Sequence, residues 1–219
     1  MTNKNLLVIG AGPGISQSTV KKFSAEGFHV FLAARNTDKL SDTIREINQT
    51  GGHAESYQVD ACDANAVKRL IESIENQSGP IEVLLYNAAS KRNESIFEQP
   101  LDSFNTDLAI NVGGAQAAIQ ALTPKMFERK SGTILLTGGG FAMSPQPDFI
   151  SLSVGKAAIR ALSQGLFDSF KENGVHIATV TISTFVDPDS DEARGISERF
   201  WELYQQPLKQ WEWESHYPN

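Results

Sequence analysis

The chain has almost no cysteine, no long apolar run and no excess of basic charge, and each absence excludes a class of protein. Cys62 is the single cysteine among 219 residues, so there is no internal disulfide framework and a reducing compartment is expected. No apolar stretch approaches the roughly 18 residues that a membrane-spanning helix needs. The run Leu6–Ile9 is too short for a signal-peptide core, and glycine breaks it at once. A cytoplasmic protein with no membrane partner is therefore expected. Lys and Arg total 19 against 26 Asp and Glu, a net charge of -7. With no basic patch, nucleic acid is not an expected partner. The histidines, His29, His53, His176 and His216, form no metal-ligand spacing, so no metal is expected.

What is present is a globular composition, 40% hydrophobic and 21% charged, arranged in alternation. Short apolar runs read as strands: 6–9, 30–34, 54–59, 83–85, 133–137 and 175–182. Longer amphipathic segments between them read as helices: 14–26, one from Asn36 or Thr37 to Gln49, 65–77, 103–129 and 149–172. The fourth carries an irregularity near Gly113-Gly114. Continuous rather than alternating apolar strands are the mark of a parallel sheet covered on both faces. The acidic stretch Asp187 to Glu192 reads as a loop. No linker, repeat or low-complexity tract divides the chain, so one domain over 1–219 is expected.

The first strand runs into Gly10-Ala11-Gly12-Pro13-Gly14, which opens a helix. Glycine triplets are common, and this context gives the motif its meaning. Gly10 and Gly12 permit a tight turn and close approach by a pyrophosphate, which the helix N-terminus then attracts. A carboxylate at the end of the second strand would hold a ribose 2′-hydroxyl. Here the strand ends Ala33-Ala34-Arg35-Asn36, with no carboxylate and with an arginine suited to a 2′-phosphate. NADP(H) is expected in preference to NAD(H).

With these residues the chain resembles the short-chain dehydrogenase/reductase family over about residues 5 to 186. The resemblance implies a doubly wound α/β sheet of the Rossmann type, order 3-2-1-4-5-6, with a short seventh strand near 211–214. It implies cofactor contacts from Gly10, Gly12, Gly14 and Ile15, although Ser16 stands where the motif's last glycine falls. It implies further contacts from Asp60 to adenine, from the Asn87-Ala88-Ala89 turn, from Lys156 to the nicotinamide ribose and from Val186 to the carboxamide. The catalytic tetrad of the family is Asn, Ser, Tyr and Lys. Asn111 and Lys156 match two members. Counting back from Lys156, the tyrosine falls at Leu152 and the serine most nearly at Gly139. Ser144, Ser151, Ser153 and Thr137 are the neighbouring hydroxyls that could replace them.

Trp201, Trp211 and Trp213 all lie in the last 19 residues. An aromatic tail over about 200–219 either packs on its own subunit or joins a subunit contact, and aromatic enrichment at interfaces favours the second. Apolar faces on the helices near 115–122 and 157–170 also suggest a homodimer or homotetramer. Two functions follow. The leading one is an NADP(H)-binding oxidoreductase with an atypical site, acting on a small carbonyl or alcohol. The alternative is a catalytically inactive NADP(H)-binding protein that serves as a redox sensor or assembly partner.

Overall fold

Seven parallel strands form one sheet in a computed structural model that describes residues 4–218. They are β1 (Asn5–Ile9), β2 (His29–Ala34), β3 (His53–Gln58), β4 (Ile81–Tyr86), β5 (Thr133–Thr137), β6 (His176–Ile182) and β7 (Glu214–Tyr217). Their order is β3-β2-β1-β4-β5-β6-β7, every pairing parallel. The doubly wound order expected from the sequence is thus observed, with β7 placed slightly later than expected. The order reverses at β1, which lies between β2 and β4. Such a reversal opens a crevice beyond the carboxyl ends of the strands.

The sheet is apolar on both faces because strand side chains alternate in direction. Leu7, Ile9, Leu84, Leu136 and Ile177 enter one core. Leu6, Val8, Leu85, Leu135 and Val180 enter the other. The first core is covered by α3 (Ala64–Ser78), α5 (Gly114–Arg129) and α6 (Ile150–Glu172), the second by α1 (Ile15–Ala25), α2 (Ser41–Gln49) and α7 (Asp191–Gln205). The expected helix over 103–129 is divided. Helix α4 (Leu101–Leu108) leads into a π-turn, Ala109–Gly113, and then into α5. The expected irregularity is this turn.

One expectation needs correction. The acidic stretch is a loop only as far as Ser190. Ser190 caps α7 by accepting from the Ala193 N–H, and Asp191 and Glu192 occupy the first turn. Acidic residues there favour the helix dipole. The signal was in the sequence, since Ala193, Ile196, Phe200 and Leu203 recur at helical spacing and are all buried. The aromatic tail makes contacts within its own chain, and Trp211 and Trp213 stay half-buried. Trp201 meets Phe23 edge-on at 5.0 Å, Trp211 stacks on His176 at 4.7 Å, and Trp213 lies under Arg160.

The β7 strand is held by charge as well as by the sheet. Arg160 Nε and Nη2 donate to the two Glu214 carboxylate oxygens at 2.9 and 2.8 Å, and Thr181 Oγ1 donates at 2.6 Å. The Glu214 side chain is only 6% exposed. Replacing Arg160 with alanine is expected to strand this carboxylate and cost about 1–3 kcal/mol. Chemical denaturation measures the loss, and amide exchange is expected to accelerate in β7 before β1. Unchanged stability and exchange would show that the pair holds nothing.

Candidate active site

The first part of the site is the crevice at β1, β2 and β4. Gly10 adopts φ 86°, and a Cβ added there would lie 2.2 Å from the Ala88 backbone nitrogen. Glycine is therefore required both by conformation and by close approach. Around Gly12 the space is open, with no atom within 4 Å of an added Cβ. The Ser16 hydroxyl accepts from Gly12 N and donates to Gly12 O, both at 2.8 Å. It steadies the loop in place of the motif's final glycine. Helix α1 begins after Gly14 with no side-chain cap and no acidic residue in its first turn. Its unpaired N–H groups and dipole suit an anion.

Beyond the loop lies a cleft of about 370 Å³. Gly10, Gly12, Arg35, Asp60, Asn87 and Ala88 all line it, together with Lys39 and Asn36. Ile15 and Val186 lie to one side, half-buried on the second core. A larger groove of about 660 Å³, between the ends of α1 and α2 near Lys21 and His53, contains none of the expected site residues.

The second part lies beyond the end of β5. Asn87 Nδ2 donates to Gly10 O at 2.9 Å, and Thr137 Oγ1 donates to Asn87 Oδ1 at 2.9 Å. Lys156 Nζ donates to Thr137 O at 2.6 Å. Three hydrogen bonds thus connect the glycine loop to the lysine across β1, β4 and β5. Burial pulls the Lys156 ammonium down to about 8. The lysine stem runs over Gly139, where an added Cβ would meet its Cγ, Cδ and Cε at 3.3–3.4 Å. Leu152, one turn earlier on α6, is 8% exposed and belongs to neither core.

Asn111 occupies the π-turn. Its Oδ1 accepts from Ser90 N at 2.6 Å. The Tyr86 hydroxyl donates to Ile110 O at 2.5 Å, satisfying a carbonyl within the irregular turn. Gly155 lets α6 pass against Asn111, since a Cβ on it would lie 2.6 Å from the asparagine Cβ. The structure therefore brings Lys156 against Gly139 at the end of β5 and Asn111 against Gly155 of α6, with Leu152 one turn before Lys156.

The profile of the short chain dehydrogenase family matches residues 4–194. The chain belongs to that family. An uncharacterized oxidoreductase of Bacillus subtilis is 28% identical over 200 residues, 91% of this chain and 73% of the relative. A short-chain dehydrogenase from Rhodopseudomonas palustris superposes with a TM-score of 0.90 at 26% identity, covering 99% of both chains. A metagenomic short-chain oxidoreductase, solved in complex with NADP, has the same fold, with a TM-score of 0.91 at 22% identity and coverage of 99% and 97%. Among the described residues of this short chain dehydrogenase, no helix is long and apolar enough to cross a membrane, and no group of three or more His, Cys, Asp or Glu could hold a metal.

The sequence analysis missed a buried carboxylate beside this site. Asp107, 1% exposed, accepts from Ser90 Oγ at 2.6 Å, from Arg92 Nε and Gln99 Nε2 at 2.9 Å, and from Ser151 Oγ at 2.9 Å. It ties the irregular segment after β4 to α4 and α6. Burial would push its carboxyl up, but hydrogen bonds from Arg92, Ser90 and Ser151 prevail and hold it at about 2. Only the helical spacing of an acidic residue four before Asn111 hinted at it. The folded pKa is depressed, so the stabilisation is present above about pH 4 and lost as pH falls through about 2. Asp107→Asn is expected to lose about 2 kcal/mol at neutral pH and to flatten this acid limb. Denaturant titrations along a pH series check both. An equally steep acid limb in the variant would contradict this account.

Proposed function

We propose that this short chain dehydrogenase binds NADP(H) in preference to NAD(H) and reduces or oxidises a small carbonyl or alcohol at a site lacking the usual hydroxyls. The observation that carries the cofactor reading is that Arg35 and Lys39 both line the cleft at the end of β2, a strand that ends in Ala34 where a carboxylate would hold a ribose hydroxyl. Two cations suit a 2′-phosphate, whereas a lone ribose hydroxyl needs neither. The open side of Gly12 and the uncapped α1 N-terminus fit a pyrophosphate. Asp60, Asn87, Ala88 and Val186 are assigned to the adenine and nicotinamide ends. The NADP held by the metagenomic relative supports the same choice.

When bound, NADPH supplies a hydride. The protein's part is to bind and orient the dinucleotide and to handle a proton. Leu152 and Gly139 have no proton to give and no dipole to polarise a carbonyl. General acid catalysis is worth about 10²–10⁴-fold, while positioning is a separate contribution and survives. Without another proton donor, turnover is slow. The same two residues support the second reading, an inactive NADP(H)-binding redox sensor or assembly partner, which calls for cofactor binding without turnover.

Arg35→Ala is expected to weaken NADPH about 10- to 100-fold, the worth of a charge-assisted contact. NADH binding is expected to change far less. Fluorescence titration with both cofactors decides, and equal losses would remove the case for NADP(H).

The chain is also assigned a cytoplasmic location and a homodimeric or homotetrameric assembly. Helix α6 shows an exposed stripe of Val154, Ala157, Ala161 and Gly165 at helical spacing. Small residues in such a row let two helices approach closely. Light scattering at micromolar concentration is expected to give a dimer or tetramer, and a monomer alone would contradict the assignment.

A further inference from the structure

The chemistry proposed above needs a proton donor, and most hydroxyls around the end of β5 are engaged. Ser151 donates to Asp107, Ser153 to Phe149 O, Thr137 to Asn87 and Ser90 to Asp107. Tyr86 donates to Ile110 O, and burial pushes its phenol well up. Ser183, close to Gly140, and Ser144, in the loop before α6, carry aliphatic hydroxyls too weakly acidic to give a net proton unaided. The Lys156 ammonium differs. It has three N–H donors, one of them on Thr137 O, which leaves the others to face a ligand. Its stem runs over Gly139, 3.3–3.4 Å from where a Cβ would stand. The ammonium is joined through Thr137 to Asn87 at the cleft wall.

We infer that Lys156 is itself the general acid of this enzyme, delivering a proton from Nζ directly to the oxygen of the carbonyl being reduced. This rests on the NADP(H) reading of the site. The step balances: NADPH gives hydride to the carbonyl carbon and leaves as NADP⁺, the C=O π bond opens, and the oxygen takes a proton from Nζ. The lysine is left neutral and is reprotonated by water. The buried carboxylates packed against α6 are matched elsewhere. Asp107 is held by Arg92, Glu214 by Arg160, and Lys91 stands over Phe185. Burial alone therefore sets the lysine's acidity, and it places the group in the range in which a general acid works best near neutral pH.

Two measurements test this. Competitive acetylation of the cofactor-free protein with trace acetic anhydride, read residue by residue by mass spectrometry, is expected to give Lys156 an apparent pKa of about 8, against about 10.4 for ordinary lysines. Reduction of butane-2,3-dione by NADPH is then followed from about pH 6 to about pH 10. The rate is expected to fall above about pH 8. Lys156→Arg is expected to bind NADPH within a few-fold of wild type, to lose about 10²-fold or more in rate and to lose that limb. Lys156→Ala is expected to regain rate with added methylamine, which a merely structural lysine would not allow. An acetylation pKa near the ordinary value, a Lys156→Arg variant that keeps rate and limb, or loss of turnover in Ser183→Ala alone would each overturn the inference. Wild type that binds NADPH but reduces no dione would overturn it too, leaving the cofactor reading intact. Failure to bind NADPH would overturn that reading as well.

Discussion

The site depends on the contact between Gly10 and Ala88. The two strand ends meet so closely that a single methylene on Gly10 would collide with the Ala88 backbone. That approach puts the glycine loop of β1 within reach of Asn87 on β4. Asn87 then holds Thr137 on β5, and the Thr137 carbonyl holds Lys156. A conformational requirement at one residue thereby fixes the spacing between the glycine loop and the Lys156 ammonium. Parallel strands in register bring these strand-end residues together across the sheet.

Three charged side chains bear on this half of the molecule, and their surroundings differ. Asp107 and Glu214 are each gripped by an arginine and by hydroxyls, which outweighs the cost of burial. Both are structural pins, one for the segment after β4 and one for β7. Lys156 has only a backbone carbonyl. Its burial goes uncompensated, and its acidity rises. The contrast distinguishes charges that hold the fold from the charge left available for chemistry.

Much of this could be read from residue order. The β1 loop, Arg35 and the alternation of strands with helices depend on local rules, and the structure puts them where those rules said. The π-turn was legible as well, through Gly113-Gly114. Asp107 was not, because its partners Ser90, Arg92, Gln99 and Ser151 come from separate stretches that only folding unites. Helix α7 was obscured by its acidic first turn, which read as a solvated loop. The partners of the tryptophans within the chain were hidden for a related reason. Their chemistry suits an interface or a core equally well, and the deciding partners, Phe23, His176 and Arg160, lie far away in sequence.

The most direct test of the whole account is a crystal structure of the protein with NADPH bound. The account predicts the pyrophosphate on the α1 N-terminus beside Gly12, the 2′-phosphate against Arg35 and Lys39, and the nicotinamide end beside Lys156 with Leu152 and Gly139 around it. A dinucleotide seated in the groove between α1 and α2, or one whose 2′-phosphate leaves Arg35 in solvent, would contradict it.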